Sequence, residues 1–249
     1  MNEDTSFRWE SAGRSEVGNV RELNEDAFLD LSARGLWIVA DGMGGHEAGD
    51  VASHMVVDRL RNVVSSEAFS DFVNDVEDRV LDANHRLYSM ANDGEEHKII
   101  GCTLAGLLAH GRHCVSVWAG DSRVYRLRAG ALQQLTRDHS EVEELLQRGE
   151  ISEESMASHA AQNVITRAVG GADRLYLEYT IDEIRDGDRF LICSDGLYKE
   201  LSSEDMRQEL SLHEGNCVEA CDGLVDAALA RECLDNVTAI VVDFREARG

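Results

Sequence analysis

The order of hydrophobic periodicities along the chain narrows its fold more than any other feature. Short apolar runs come in blocks, two helical stripes stand side by side, and nowhere does a strand alternate with a single helix. Ala27–Leu31 and Leu36–Ala40 read as strands joined by a turn at Ala33–Gly35. Val51, Met55, Val56, Leu60 and Val63 then recur at helical spacing, and Phe69, Phe72, Val73, Val76, Val80 and Leu87 form a second stripe. Runs rich in β-branched and aromatic residues follow at Thr103–Ala109, Cys114–Trp118, Arg123–Arg128 and Leu132–Leu135, the last two joined as a hairpin through Arg128–Gly130. Residues 139–162 are polar and helical in flavour, resembling a surface insertion. Leu175–Ile181 and Arg189–Asp195 are predicted strands around a turn at Asp186–Gly187. Ser202 and Ser203, followed by Glu204 and Asp205, start a capped helix with acids on its favourable end. Val218, Cys221, Leu224, Val225 and Leu229 mark another helix, and Val237–Phe244 is a closing buried strand. This order predicts antiparallel sheets with helices packed outside, not a doubly wound parallel sheet. With no linker and no repeat, residues 1–249 read as one domain.

The balance of charges excludes some partners. A formal charge of −24 argues against nucleic acid or an anionic membrane, since both repel an acidic surface. The excess acid is either a solvated surface or a set of carboxylates gathered to hold cations, and composition alone does not separate the two. The six cysteines form no C-x-x-C pair, which fits free thiols in a reducing compartment. The polar, acidic start MNEDTSFRWE is no signal peptide, and the apolar run from Ile99 to Ala109 is too short to span a bilayer. The expectation is a soluble, cytoplasmic protein.

What the aspartates do relative to the strands carries the chemistry. Asp26 opens the first strand, Asp41 ends the second in WIVADG, Asp121 ends another in VSVWAGDSR, Asp195 ends RFLICSDG, and Asp235 precedes the last. One Asp-Gly at a strand end is ordinary turn chemistry. Five carboxylates at strand lips, most with no lysine or arginine beside them in sequence, favour a shared metal site, because a buried carboxylate needs a cation or donor. Oxygen-only ligands select hard cations such as Mg²⁺ or Mn²⁺, and the histidines show no ligand-spaced cluster. Such ions commonly serve phosphate chemistry. Arg21, in NVRELNED, is either a surface arginine or a planar fork for two phosphate oxygens.

At these residues the chain resembles the metal-dependent protein phosphatases (the PPM, or type 2C, serine/threonine phosphatases), most closely their compact bacterial members. The matching stretches are GNVRELNEDAF, VADGMGGHEAG, GCTLAGLL, WAGDSRVYRLRAGALQQLTRDHS, NVITRAVG, DRFLICSDGLY and DNVTAIVV, in family order over nearly the whole chain. The resemblance implies an α+β fold: a four-layer α/β/β/α sandwich of two antiparallel sheets flanked by helices. It implies two to three Mn²⁺ or Mg²⁺ ions. Asp41 would bridge two of them, the Gly42 carbonyl would contact the second, and Asp195 and Asp235 would complete the pair. Glu25, or more directly Asp26, would lie at the edge of the site, and Asp121 with Asp195 would hold the third ion. Arg21 would grip the substrate phosphate, and residues 139–162 fall where the family has its mobile flap.

The implied reaction is hydrolysis of phosphoserine or phosphothreonine by a water bridging two metals, without a phosphoenzyme. The implied partners are phosphorylated proteins, targets of a cognate Ser/Thr kinase in bacterial signalling, acted on by a monomer. The chain departs from many eukaryotic members at Met43, where they carry a histidine that protonates the leaving group; a thioether has no proton to give. A water on a metal is the first candidate for that proton and His46 a weak second, since His46 better suits a place capping or flanking the next helix. SHAAQN in the flap departs from the proline and basic residue often found there. Two other readings are a silent scaffold that keeps the fold and a small-molecule phosphohydrolase. The acids at Asp26, Asp41, Asp195 and Asp235 weigh against silence.

Overall fold

The computed structural model describes residues 7–44, 48–64, 66, 68–93, 98–156 and 159–247, and every pairing between its strands is antiparallel. One sheet runs β1 (Phe7–Glu16), β11 (Val237–Glu246), β10 (Arg189–Cys193), β7 (Arg123–Arg128), β8 (Ala131–Gln134). The other runs β2 (Asp26–Leu31), β3 (Leu36–Met43), β5 (Leu104–His110), β6 (His113–Ala119), β9 (Glu178–Glu183), with β4 (Gly101–Cys102) paired to the end of β3.

The sheets stack through the apolar side chains of alternate positions. Trp37, Val39 and Leu107 of one sheet meet Phe190, Ile192, Ile240 and Phe244 of the other in a shared core. The opposite face of the β3 sheet is covered by α1 (Ala48–Leu60) and α2 (Phe69–Asn92), whose buried stripe is Phe72, Val76, Val80, Ala83 and Leu87. The opposite face of the β11 sheet is covered by α6 (Ser203–Leu212) and α7 (Cys217–Leu229). The result is the expected α/β/β/α order of layers. All six cysteines are buried free thiols, packed as small apolar residues. No helix among the described residues is long and apolar enough to cross a membrane.

Local signals fixed several ends. Ser202 accepts from the Asp205 amide while the Asp205 carboxylate accepts from the Ser202 amide, a complete capping box that starts α6. Ala129 and Gly130 both take positive φ, 50° and 78°, giving the tight β7–β8 hairpin a twist that matches its strands.

The structure corrects other expectations. β1 had no prediction; its apolar contacts come from Trp9 against Trp37 and Phe244, on strands remote in sequence. β3 does not stop before Asp41 but continues through Met43, because β4 supplies partners for Gly42 and Met43. The strand expected over Leu175–Ile181 begins only at Glu178 and continues to Glu183, in register with β6. Val51 and Val218 are exposed, and the buried faces of their helices begin instead with Gly49 and Ala52 and with Cys217 and Ala220. Residues 139–162 hold α3 (Glu141–Gln147) and α4 (Glu153–Met156), and their first turn is anchored: His139, Ser140 and Val142 are buried.

Candidate functional site

Register alone sets two carboxylates face to face. Asp26 and Asp41 are direct partners across the β2–β3 ladder, which puts their Cα atoms about 5 Å apart. Asp26 is buried, and its Oδ2 accepts from Ser194 Oγ at 2.7 Å and Thr238 Oγ1 at 2.6 Å, both from the opposing sheet. These bonds fasten the two sheets together at this end. The Asp41 backbone is held on both sides by Thr103: the Thr103 amide donates to the Asp41 carbonyl at 2.8 Å, and the Asp41 amide donates to Thr103 Oγ1 at 3.2 Å. Ser122 in turn lies 2.6 Å from that hydroxyl.

Asp195 follows β10 as the first residue of α5 (Asp195–Tyr198), not as the strand's end. Asp235 immediately precedes β11, and Asp121 lies just past β6 with its backbone carbonyl accepting from Tyr198 Oη at 3.0 Å. The Asp41 carboxyl is pushed well above its ordinary range by burial and by Asp26, Asp195, Asp121 and Asp235. All five strand-end aspartates thus lie within reach of one another's charge around Asp41. Burial lifts the Asp26 carboxyl to about 7 against the stabilising Thr238 and Ser194 hydroxyls, and burial with Asp195 and Asp138 lifts Asp121 to about 7.

Glu25 sits beside this cluster. Its carboxylate lies over the first turn of α1, so close that a Cβ on Gly49 would fall 2.6 Å from Oε1. Its carbonyl accepts from the Gly42 amide at 3.1 Å. Gly42 is obligatory for steric reasons: a Cβ there would fall 2.2 Å from the Gly49 carbonyl oxygen and 2.5 Å from that of Glu25. Met43 packs towards Gly101, its partner in β4. His46 lies outside the described residues.

The loop from β1 to β2 presents Arg21. Asn236, buried next to Asp235, clamps both ends of that loop: Nδ2 donates to the Val17 and Leu23 carbonyls at 2.9 and 3.0 Å, and Oδ1 accepts from the Glu25 amide at 2.8 Å. Asn19 Nδ2 ties the same loop to the Leu229, Arg231 and Glu232 carbonyls at the end of α7. Half-exposed Arg21 donates from Nη2 to Asp235 Oδ2 at 2.9 Å, so its guanidinium stands at the rim of the carboxylate cluster. Thr103, Ser122, Ser194, Thr238 and Asn236 escaped the sequence reading, although three of them flank the aspartates it singled out.

The donors suit hard divalent cations. Glu25 Oε1, Asp26 Oδ1 and Asp121 Oδ1 are buried without a hydrogen-bond partner, and such oxygens are stabilised by a cation. Among the described residues no three acidic, histidine or cysteine side chains already close on one point as a ligand set. Two of the aspartates instead turn an oxygen to protein cations, Asp235 to Arg21 and Asp195 to Lys199.

These shifts have a consequence for stability. The unfolded chain releases the Asp26 and Asp121 protons near the ordinary 3.8, whereas the native state holds them to about 7. Native protein therefore binds more protons in that window, and metal-free stability falls as pH rises through it. Chelator-treated protein is expected to melt several degrees higher at about pH 6 than at about pH 8, with excess Mn²⁺ removing the difference. A metal-free melting temperature that is flat or rises over that interval would contradict the assignment.

A family model of protein phosphatase 2C matches residues 13–231. By sequence the chain is 37% identical over 232 residues to serine/threonine protein phosphatase PstP of Mycobacterium tuberculosis, covering 93% of this chain and 44% of that protein. It thus spans less than half the length of that relative. By structure it is similar to PppA of Pseudomonas aeruginosa, described as a key regulatory component of T6SS, with a TM-score of 0.89 and 40% identity over 98% of this chain and 100% of that one. The catalytic domain of PstP in complex with two manganese ions aligns with a TM-score of 0.86 and 34% identity, over 96% of this chain and 100% of that chain.

Proposed function

The chain belongs to the protein phosphatase 2C family, and from that membership we propose that it is a serine/threonine protein phosphatase dependent on Mn²⁺ or Mg²⁺. The observation that carries the reading is the facing pair Asp26 and Asp41 inside a cluster of five aspartates, with Arg21 at its rim. The two manganese ions in the PstP catalytic domain support the choice of cation.

Asp41, Asp195 and Asp235, with the Gly42 carbonyl, would hold two ions; Asp26 and Glu25 would border them, and Asp121 with Asp195 would hold a third. Bound there, the ions supply positive charge for the phosphoryl oxygens and lower the pKa of the attacking water. The residues of the chain supply the rest. Arg21 leaves Asp235 for two oxygens of the substrate phosphate, which its planar fork matches. Asn236 and Asn19 fix the loop that aims Arg21, and Thr103 holds Asp41 in line with Asp26. Met43 holds no proton, so it takes no part in protonating the leaving oxygen.

The substrate class is phosphorylated protein, as targets of a cognate kinase, met by a monomer of one domain in the cytoplasm. Residues 139–162 would act as the flap beside that substrate: with Asp121, Asp235 and Lys199, Glu153 and Gln162 line a cleft of about 680 Å³ that opens next to the carboxylates.

The test is hydrolysis of p-nitrophenyl phosphate and a phosphothreonine peptide, with Mn²⁺ and with chelator, by wild type and Asp195→Ala. Turnover of both esters, lost with chelator and in the variant, is the expected result. Hydrolysis of the small ester alone would favour a small-molecule phosphohydrolase, and no turnover would favour a scaffold. Arg21→Ala is expected to raise KM by roughly tenfold with a smaller fall in kcat, the signature of a group that binds phosphate.

A further inference from the structure

Lys199 stands apart from the roles assigned above. It follows α5 directly, one helical turn after Asp195, so its stem leads back over the carboxylate cluster. Its Nζ donates to Asp195 Oδ2 at 2.5 Å and to Asn163 Oδ1 at 2.9 Å. Asn163 comes immediately after the 139–162 segment and lines the same cleft as Asp121 and Lys199. One ammonium therefore bridges a member of the acidic cluster and the end of the flap. Asp121 and Asp41 also attract it.

We propose that Lys199 is a positioning residue that competes with the divalent cation at Asp195 and ties the flap end at Asn163 while that cation is away. The inference builds on the reading of Asp195 as a metal ligand. Asp195 is nearly buried, with 13% of its side chain exposed, while Lys199 is 39% exposed, so the pair is partly screened and of moderate strength. A divalent ion at Asp195 replaces a single positive charge with a double one and repels the neighbouring ammonium. Lys199 then swings off Asp195, and its bond to Asn163 loses the anchor that fixed its direction. Metal occupancy and the order of residues 159–164 are in this way linked through one side chain, and by linkage each affects the other.

The experiment titrates Mn²⁺ calorimetrically into chelator-stripped wild type, Lys199→Met, Lys199→Arg and Asp195→Asn, and follows amide exchange in residues 159–164 with and without Mn²⁺. Lys199→Met is expected to tighten the weakest Mn²⁺ site about five- to tenfold, and Lys199→Arg to stay near wild type. Exchange at 159–164 should speed up on adding Mn²⁺ to wild type, and should already be fast in metal-free Lys199→Met with no further response. Unchanged or weaker Mn²⁺ binding by Lys199→Met overturns the competition, and an equal exchange response in both proteins overturns the tether. The Asp195→Asn arm separates the premise from the inference. If that variant binds Mn²⁺ as wild type does, the assignment of Asp195 fails and the inference with it. If Asp195→Asn weakens binding while Lys199→Met changes nothing, only the role of Lys199 fails.

Discussion

Asp41→Asn is expected to reduce kcat by on the order of 10³-fold or more while making the metal-free protein more stable. The two effects come from the same place. Asp41 faces Asp26 across the β2–β3 ladder and is pressed by three further aspartates, so in the absence of divalent cation its charge is unfavourable. Asparagine removes that charge, keeps the shape, and leaves the Thr103 bonds untouched because they run to the Asp41 backbone. An isosteric amide is a poor ligand for hard cations and cannot offset their charge. The pairing of lost turnover with a raised metal-free melting temperature distinguishes a ligand from a residue that merely supports the fold. Turnover within tenfold of wild type, or a lower metal-free melting temperature, would refute the central role given to Asp41.

Arg189→Met is expected to cost about 3–5 kcal/mol of stability. Arg189 and Asp243 are register partners on β10 and β11, with side chains only 4% and 7% exposed. The guanidinium meets both carboxylate oxygens, from Nε at 2.5 Å and from Nη2 at 2.6 Å. It also donates to the Leu210 carbonyl and, at 2.9 Å, to that of His213, so it fastens the end of α6 to the sheet beneath. Methionine fills the space but leaves the buried Asp243 carboxylate without its cation and takes a donor from the Leu210 and His213 carbonyls. The double variant Arg189→Met/Asp243→Leu removes the orphaned charge and is expected to recover much of the loss. Urea unfolding midpoints of the three proteins check this; a single variant within about 1 kcal/mol of wild type would show that the pair is dispensable.

Much of the architecture was legible because its causes are local. The stripe of α2, the hairpin turn between β7 and β8, and the cap of α6 each depend on neighbours within a few residues. The cluster was legible for a related reason: Asp26, Asp41, Asp121, Asp195 and Asp235 all sit at or near strand termini, and termini are written in sequence as an apolar run meeting a turn. The positions of those termini were less so. β3 passes through Asp41 because β4 pairs with its last residues, and no pattern within WIVADGMGG announces a partner that far along the chain. β1 was missed because its half-buried pattern becomes a strand only against β11.

By itself, then, the sequence determined which residues could do the chemistry, the periodicities of the elements that carry them, and the layering those periodicities allow. Tertiary structure alone decided which groups meet. Asp26 faces Asp41 through register, Ser194 and Thr238 reach Asp26 across the gap between sheets, Asn236 clamps the loop of Arg21, and Lys199 bridges Asp195 to Asn163. The reason is physical: hydrophobic periodicity is a property of one segment, whereas a hydrogen bond or ion pair between segments depends on where packing of the whole chain leaves two ends. Met43 shows the difference in one residue. The sequence established that it carries no proton, and only the pairing of β3 with β4 placed it against Gly101.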